Sequence, residues 1–501
     1  MPKIPVALSV RPGLRYPTVP PFHPAEIYPE MRRRLGEVLV SPAAANDVYA
    51  QMRRLFLCYG LDADRFGGPD WNPLGDWIRP GMTVVLKPNL VRHESEWTNH
   101  GAMVTHGSFV RVVMDYVWLA LGGRGRIVVA DAPVQSAIMD RILEESGIRA
   151  VVAFFRDRLH ADASTIDLRQ TRIDVDERDN YRSAPIRLPG DPLGYAHIDL
   201  GAHSALEEVS GDGTRFGVAD YPDDVTNQAQ RSGRHEYVIA RTALDADVLI
   251  NLPKLKAHCK GGLTCALKNM VGVNGTKDRL AHFRIRAAGG AGDEMSTRSA
   301  FERAKARAGL ALQGRARWMW RLARLASEAE KRLRGGKGRP LTEGGWSGND
   351  TLWRMVLDLN MIVRHYDSNG SRRGVPRIVR TIVDGVVAGD RDGPLQHRSR
   401  DAGMLILGED PVAIDWVAAR AVGFEPAAIK MISQASRFGP LKVSPWSGDP
   451  ADLDVRFAEP GLGQAFWSNE PLCDFDPPRA WEVLKRPSHG KAAEAIESRP
   501  L

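Results

Sequence analysis

The segment of residues 251–283 carries the densest set of side chains that could do chemistry. It follows a predicted buried strand, and in open α/β sheets ligands bind beyond the carboxyl ends of strands. Gly261 and Gly262 would let the backbone approach a ligand closely, and the helix expected after them would offer its N-terminus to an anion. This order predicts a site for a carboxylate or a phosphate. The alternative is a solvated basic loop before a helix.

Two roles are assigned to the side chains of this segment. Binding of the anion is expected from cationic and amide groups at Asn251, Lys254, Lys256 and Asn269. A desolvated lysine can act as a nucleophile or a base, and histidine exchanges protons near neutral pH. Catalysis is therefore assigned to His258, Lys268 and His282.

A second group of polar residues lies between residues 87 and 106. Lys87 and Asn89 come at the end of the first strongly apolar strand, and Thr98 and Asn99 follow in a loop that leads into a helix. We expect these four residues to contribute to binding of the same substrate. The histidines and glutamate of this loop could ligate a metal, but without a rigid ligand spacing a surface loop is the preferred interpretation.

Carboxylates and thiols near predicted strand ends form a third group, which could hold a metal or orient a partner. Its members are Asp131, Asp384, Asp392, Cys259 and Cys265. The alternatives are Asp-Gly turn chemistry for the carboxylates and simple burial for the thiols. The four cysteines include no CxxC pair, so a divalent metal stays open as a cofactor and an iron–sulfur cluster is not expected.

The elements that must position these residues follow an alternating pattern. Apolar β-branched runs predict strands at 82–88, 126–133, 150–155, 248–253 and 377–387, and helical periodicity appears from residue 108, at 136–146 and at 351–363. The predicted fold is α/β, with two α/β lobes of mostly parallel sheets around a cleft and an inserted basic helical segment. We expect an N-terminal arm and helix at 1–80, the core at 81–284 and 340–425, the insertion at 285–339 and a C-terminal wrap at 426–501.

Charge is concentrated in one part of the 501-residue chain. The net charge is +7, yet residues 298–339 alone hold 13 Lys/Arg and 3 Asp/Glu. Because the rest is slightly acidic, nucleic-acid binding by the whole protein is not expected. The basic segment could contact an acidic protein partner, a second copy of the chain or a membrane surface. Few cysteines and the lack of a long apolar run predict a cytoplasmic protein without a transmembrane segment.

Several motifs resemble domain-of-unknown-function family 362. They are INLPKLKAHCKGGLTCALKNMVG, KPNLV, VVADAP, IVDGVVAGDRDGPL and DPVAIDWVAARAVGF, in the family's order over most of residues 80–425. Many members carry a ferredoxin-like iron–sulfur module, whose cysteines this chain lacks. A partial resemblance to the nickel-pincer lactate racemases involves His258, Gly261-Gly262, Lys268 and His282. It implies a two-lobed architecture with a cleft lined by lysine and histidine, and nickel is not carried over.

Together these patterns predict an enzyme that acts on a small anionic substrate by proton transfer or by lysine- or metal-assisted chemistry. Isomerase, racemase or lyase chemistry on a small acid fits the residue types best. Two alternatives stay open: a metal or iron–sulfur redox protein, and a nucleic-acid or membrane-surface binder that uses the basic segment.

Overall fold

The fold was analysed in a computed structural model that describes residues 3–32, 40–95, 100–176, 181–218, 221, 223–285, 292–294, 343–438, 441–468 and 470–485. The basic segment 298–339 lies outside these residues, as do Thr98 and Asn99. The predictions made for them therefore stay predictions.

Nineteen strands are present in the described residues. They are β1 Ile4–Val10, β2 Thr83–Pro88, β3 Arg126–Asp131, β4 Asp162–Asp167, β5 Thr171–Arg172, β6 Val175–Asp176, β7 Tyr181–Arg182, β8 Ile186–Arg187, β9 Tyr195–Asp199, β10 Phe216–Gly217, β11 Gln230–Arg231, β12 Arg234–Ala240, β13 Val248–Leu252, β14 Lys254–His258, β15 Gly262–Thr264, β16 Phe283–Arg284, β17 Arg380–Asp392, β18 Gln396–Gly408 and β19 Leu453–Phe457.

The α-helices of the described residues complete the layers. They are α1 Val48–Tyr59, α2 His100–Met103, α3 Gly107–Leu121, α4 Met139–Glu145, α5 Ile148–Arg158, α6 Asp223–Ala229, α7 Arg241–Asp245, α8 Ala266–Asn269, α9 Leu352–His365, α10 Pro411–Ala421, α11 Lys430–Ser433 and α12 Leu462–Trp467.

Ten of the strands form one mixed, mostly parallel sheet, which confirms the predicted α/β class. Its order is β19-β1-β18-β17-β13-β2-β3-β4, and β14 pairs with β17 and β15. The strands β13 and β17, which flank the basic segment in sequence, pair in parallel within this sheet. The two parts of the core expected from the sequence therefore share one sheet.

Side chains from both faces of the sheet are buried, as its central strands require. Successive residues of a strand point to opposite faces, so Val84 and Leu86 pack with α1, α3 and α5, whereas Val85 packs with α9 and α10. Lys87 shares the face of Val85. This alternation turns the Lys87 side chain toward α8, which lies on that face.

The prediction of a strand at 150–155 is wrong, because these residues belong to helix α5. Ile148, Val151, Val152 and Phe155 recur at helical spacing and are buried against the sheet. The short run AVVAFF alone is compatible with a strand or a helix. Only with the flanking residues included does the spacing of the apolar residues indicate a helix.

Candidate functional site

A cavity of about 470 Å³ opens at the carboxyl ends of β2 and β3, beside the β14–β15 hairpin. Cationic side chains dominate its charged lining: Lys87, Arg92, Arg182, Lys256, Lys260, Lys268 and Lys277. The acidic residues of the lining are Asp131 and Glu343. Such a surplus of positive charge in a concave site favours anionic ligands.

Lys87 and Asp131 form an ion pair at the floor of the cavity. Lys87 Nζ lies 2.7 Å from Asp131 Oδ1, and both side chains are almost fully buried. Asp131 also accepts hydrogen bonds from the backbone N–H groups of Leu90 and Ala132. Burial lowers the pKa of Lys87, and the Asp131 carboxylate opposes that shift. The pair is therefore a fixed structural element of the floor.

Three asparagines connect this pair to α8. Lys87 Nζ and the Asn89 amide both donate to Asn269 Oδ1, at 3.2 and 3.0 Å. Asn269 in turn donates to Asn251 Oδ1 at 2.7 Å, and Asn251 donates to the Ala266 carbonyl at 3.0 Å. Asn251 lies beneath the cavity and supports it, whereas Asn89 and Asn269 line it.

Gly272 allows the chain that follows α8 to pass directly over the Lys87–Asp131 pair. A Cβ atom at this position would lie 1.8 Å from Asp131 Oδ1 and 2.4 Å from Lys87 Nζ. The Gly272 carbonyl accepts from Ala132 N at 2.8 Å. A side chain here would displace either the ion pair or this backbone contact.

Strand β14 carries basic residues on one face. Leu255 and Ala257 point into the core, so the alternation of the strand places Lys254, Lys256 and His258 on the opposite face. Lys256 is fully buried, and its Nζ donates to the Met103 carbonyl at 2.5 Å. Burial lowers its pKa well below the usual value, and the nearby charge of Lys268 adds to that shift.

Lys254 and Asp384 do not line the cavity, although the sequence assigned both to the site. Lys254 Nζ lies 3.3 Å from Asp384 Oδ2 and 2.6 Å from the Tyr16 hydroxyl. Tyr16 donates to Asp384, and the Tyr16 ring stacks on His106. Because a residue of the N-terminal arm completes this buried cluster, Lys254 and Asp384 belong to the core rather than to the binding surface.

The two histidines of the cavity are held in different tautomers. His258 Nδ1 accepts a hydrogen bond from Lys260 N at 3.1 Å, so the neutral ring carries its proton on Nε2. His282 Nδ1 lies 2.6 Å from the Leu280 carbonyl, which only accepts, so the lone pair of that ring is on Nε2. Burial lowers the pKa of His258 well below its usual value and that of His282 to about 3. Both rings are therefore neutral near pH 7.

Lys268 and Lys277 also have lowered pKa values. Burial brings the pKa of Lys268 to about 8, and Lys260 and Lys87 add to the shift. Burial brings the pKa of Lys277 to about 7, against the attraction of Asp131. Lys277 Nζ donates to the Val271 carbonyl at 2.9 Å. A lysine with such a pKa exchanges protons easily near neutral pH.

The N-terminus of α8 is not available for an anionic ligand, in contrast to the expectation from the sequence. The helix has only four residues, and the Asp415 carboxylate accepts from Ala266 N at 2.6 Å and from Leu267 N at 3.2 Å. Asp415 comes from α10, far along the chain. Its carboxylate thus occupies the position that an anion would take.

The proposed metal or orienting residues are not brought together. Asp131 pairs with Lys87 and Asp384 with Lys254, while Asp392 lies 2.7 Å from Arg479 Nε. The Cys265 thiol contacts Asp415, and burial raises the pKa of both Cys259 and Cys265. Within the described part of the chain, no three His, Cys, Asp or Glu side chains converge as metal ligands would.

Eight of the residues selected from the sequence line the cavity: Lys87, Asn89, Asp131, Lys256, His258, Lys268, Asn269 and His282. Sequence reasoning gave no role to several other lining residues, namely Arg92, Arg182, Lys260, Lys277 and Glu343. Lys260 and Lys277 lie within residues 251–283, and that position was the available signal. Arg92, Arg182 and Glu343 follow no strand-end pattern.

A model of the family described as Domain of unknown function (DUF362) matches residues 84–183 and 197–420, more than half of the chain. No curated protein and no solved structure matches. The resemblance to the lactate racemases therefore has no support from these comparisons. Among the described residues, no helix has the length and apolar character needed to cross a bilayer.

Proposed function

The chain belongs to the family Domain of unknown function (DUF362), and we propose that it is an enzyme acting on a small anionic substrate in the basic cavity. The observation that carries this proposal is the lining of seven cationic and two acidic side chains around about 470 Å³. Buried cations without enough counterions reduce stability, and a carboxylate or phosphate would supply the missing charge.

Proton transfer is the chemistry that the tautomers of the two histidines allow. His282 offers an unprotonated Nε2 as a base, and His258 offers an Nε2–H group as an acid. Lysine ammonium groups next to a bound carboxylate stabilise negative charge that develops when a proton leaves the adjacent carbon. We therefore propose isomerase-, racemase- or lyase-type chemistry on a small acid. Contacts of residues 298–339 with an acidic partner or a second copy, and a cytoplasmic location, stay proposals from the sequence.

Calorimetric titration with sulfate and oxalate tests the anion site. We expect Lys256→Met and Lys268→Met to weaken binding of both anions at least tenfold, since each removes a cation from the lining of the cavity. Lys442→Met is the matched control, because Lys442 is exposed and lies outside the cavity. If the wild-type protein bound neither anion, or if all three variants bound equally, the proposal would be wrong.

Hydrogen exchange tests the chemistry. Small 2-hydroxy and 2-oxo acids incubated with the protein in D₂O should lose proton signal at the carbon next to the carboxylate or carbonyl, as followed by NMR. His282→Gln keeps a side chain of similar size but removes the base, so exchange should fall by about 100-fold or more. Exchange that was unchanged in His282→Gln would exclude this residue as the base.

A further inference from the structure

The lysines of the cavity differ in what holds their ammonium groups. Lys87 is paired with Asp131, Lys256 donates to Met103 and Lys277 donates to Val271. Lys260 lies 3.9 Å from Glu343. For Lys268, by contrast, the described residues provide no hydrogen-bond or ion-pair partner. The nitrogen of Lys268 is therefore not engaged by any group in the described part of the chain.

The backbone that carries Lys268 is fixed from several sides. Asp415 binds the first N–H groups of α8, Asn360 donates to the Leu267 carbonyl at 2.9 Å, and Asn251 donates to the Ala266 carbonyl at 3.0 Å. A side chain that is free while its helix is immobilised from three other elements is typical of a nucleophile rather than of a structural lysine.

A second unengaged group lies four residues earlier. The Thr264 hydroxyl lines the cavity, the residue is only 2% exposed, and its oxygen has no hydrogen-bond partner among the described residues. Asn89 Oδ1, also on the lining, is in the same situation with the residue 8% exposed. Buried polar atoms are rarely left without partners, so both point to groups of a ligand. The hydroxyl can donate to an oxygen, and the amide oxygen accepts from an O–H or N–H.

We propose that Lys268 forms an imine with the carbonyl carbon of an anionic aldehyde or ketone, such as a 2-oxo acid, bound among the other cations. The inference rests on the proposed function and narrows its substrate class. Thr264 would donate to the carbonyl oxygen, and the anionic group would face the engaged lysines. Because the pKa of Lys268 is about 8, a substantial fraction of its amine is neutral near that pH.

The step balances without an oxidant or a reductant. The neutral Lys268 amine adds to the carbonyl carbon, and the π electron pair of the C=O bond moves to oxygen. One proton passes from nitrogen to that oxygen to give a carbinolamine. A second proton, from the ammonium of neighbouring Lys260, lets the hydroxyl leave as water while the nitrogen lone pair forms the C=N bond of a protonated imine. His282 could then remove a proton from the adjacent carbon, for which the imine is an electron sink.

Reductive trapping tests this inference on the full-length protein. Pyridoxal 5′-phosphate and glyoxylate, two anionic aldehydes, are added separately with sodium cyanoborohydride as the hydride donor. Intact mass and peptide mapping then locate the secondary amine. We expect one adduct, on Lys268, whose formation sulfate suppresses. It should disappear in Lys268→Arg and persist in the control Lys442→Arg, with circular dichroism to show that both variants fold.

The outcomes separate this inference from the proposal on which it rests. Adducts on other cavity lysines instead of Lys268, or no adduct with either aldehyde, would each overturn the imine. An adduct on Lys268 that sulfate does not suppress would overturn its formation in the anion site. If sulfate still bound in calorimetry, the anion site would stand without it. If sulfate bound nowhere, the proposed function itself would fail.

Discussion

Binding of an anion to the cavity should be accompanied by uptake of protons, and the amount should depend on pH. The pKa of Lys277 is about 7 and that of Lys268 is about 8. A bound dianion offsets the desolvation that causes these shifts, so both pKa values should return toward the ordinary value of a lysine. On binding, each lysine then becomes protonated in the fraction of molecules in which it was neutral at the working pH.

The size of the effect follows from these two values. At pH 8, Lys277 is about one-tenth protonated and Lys268 about half, so full recovery takes up about 1.4 protons, against about 0.1 at pH 6. The bound state holds more protons, so affinity is highest below the free pKa values and falls as the pH rises through them.

Isothermal titration with sulfate, in pairs of buffers with different ionisation enthalpies, measures the uptake directly. Sulfate itself does not titrate between pH 6 and pH 9. Lys277→Met should remove most of the difference between pH 8 and pH 6, and Lys442→Met should leave it unchanged. Uptake that was equal at the two pH values, or release of protons, would refute the argument that these lysines face the bound anion.

Three further predictions concern the framework of the cavity. Gly272→Ala should lower the melting temperature and weaken sulfate binding, whereas Gly345→Ala, where a Cβ meets nothing within 4 Å, should change neither. Asp131→Asn leaves the ammonium of Lys87 buried without its carboxylate, and chemical denaturation should show a loss of about 3–5 kcal/mol. Lys254→Met should destabilise the fold by leaving Asp384 unpaired but keep sulfate affinity, because Lys254 does not line the cavity; a large loss of affinity would contradict this placement.

The sequence was informative where local pattern and strand direction act together. Lys87 and Asp131 were each predicted at the end of a strand, and parallel pairing of β2 with β3 and β13 brings those strand ends to one edge. The Gly261-Gly262 turn was recognised, although it closes a β-hairpin instead of leading directly into a helix. Such features depend on residues that are close in sequence.

Contacts between distant residues account for what the sequence did not reveal. Lys254 appears equivalent to Lys256 in the sequence, yet Tyr16 and Asp384 enclose only Lys254. Likewise, the sequence predicts an open N-terminus for α8, but Asp415, 149 residues away, caps it. Partners of this kind carry no periodic signal, and they decide whether a charged side chain is structural or exposed to a ligand.

The charge balance of the cavity links its stability to its function. Where Lys87 and Lys254 are buried, the fold supplies Asp131 and Asp384, which offset part of the desolvation cost of these cations. Lys268 and Lys277 receive no such carboxylate at hydrogen-bond distance among the described residues, and their lowered pKa values show that burial disfavours their charged forms. Because the unfolded chain binds these protons more tightly, the stability of the protein should rise with pH from about 7 up to about 10, where an ordinary lysine titrates. Cations that lower the stability of the fold support the proposal that an anion, which would compensate their charge, is the ligand of the site.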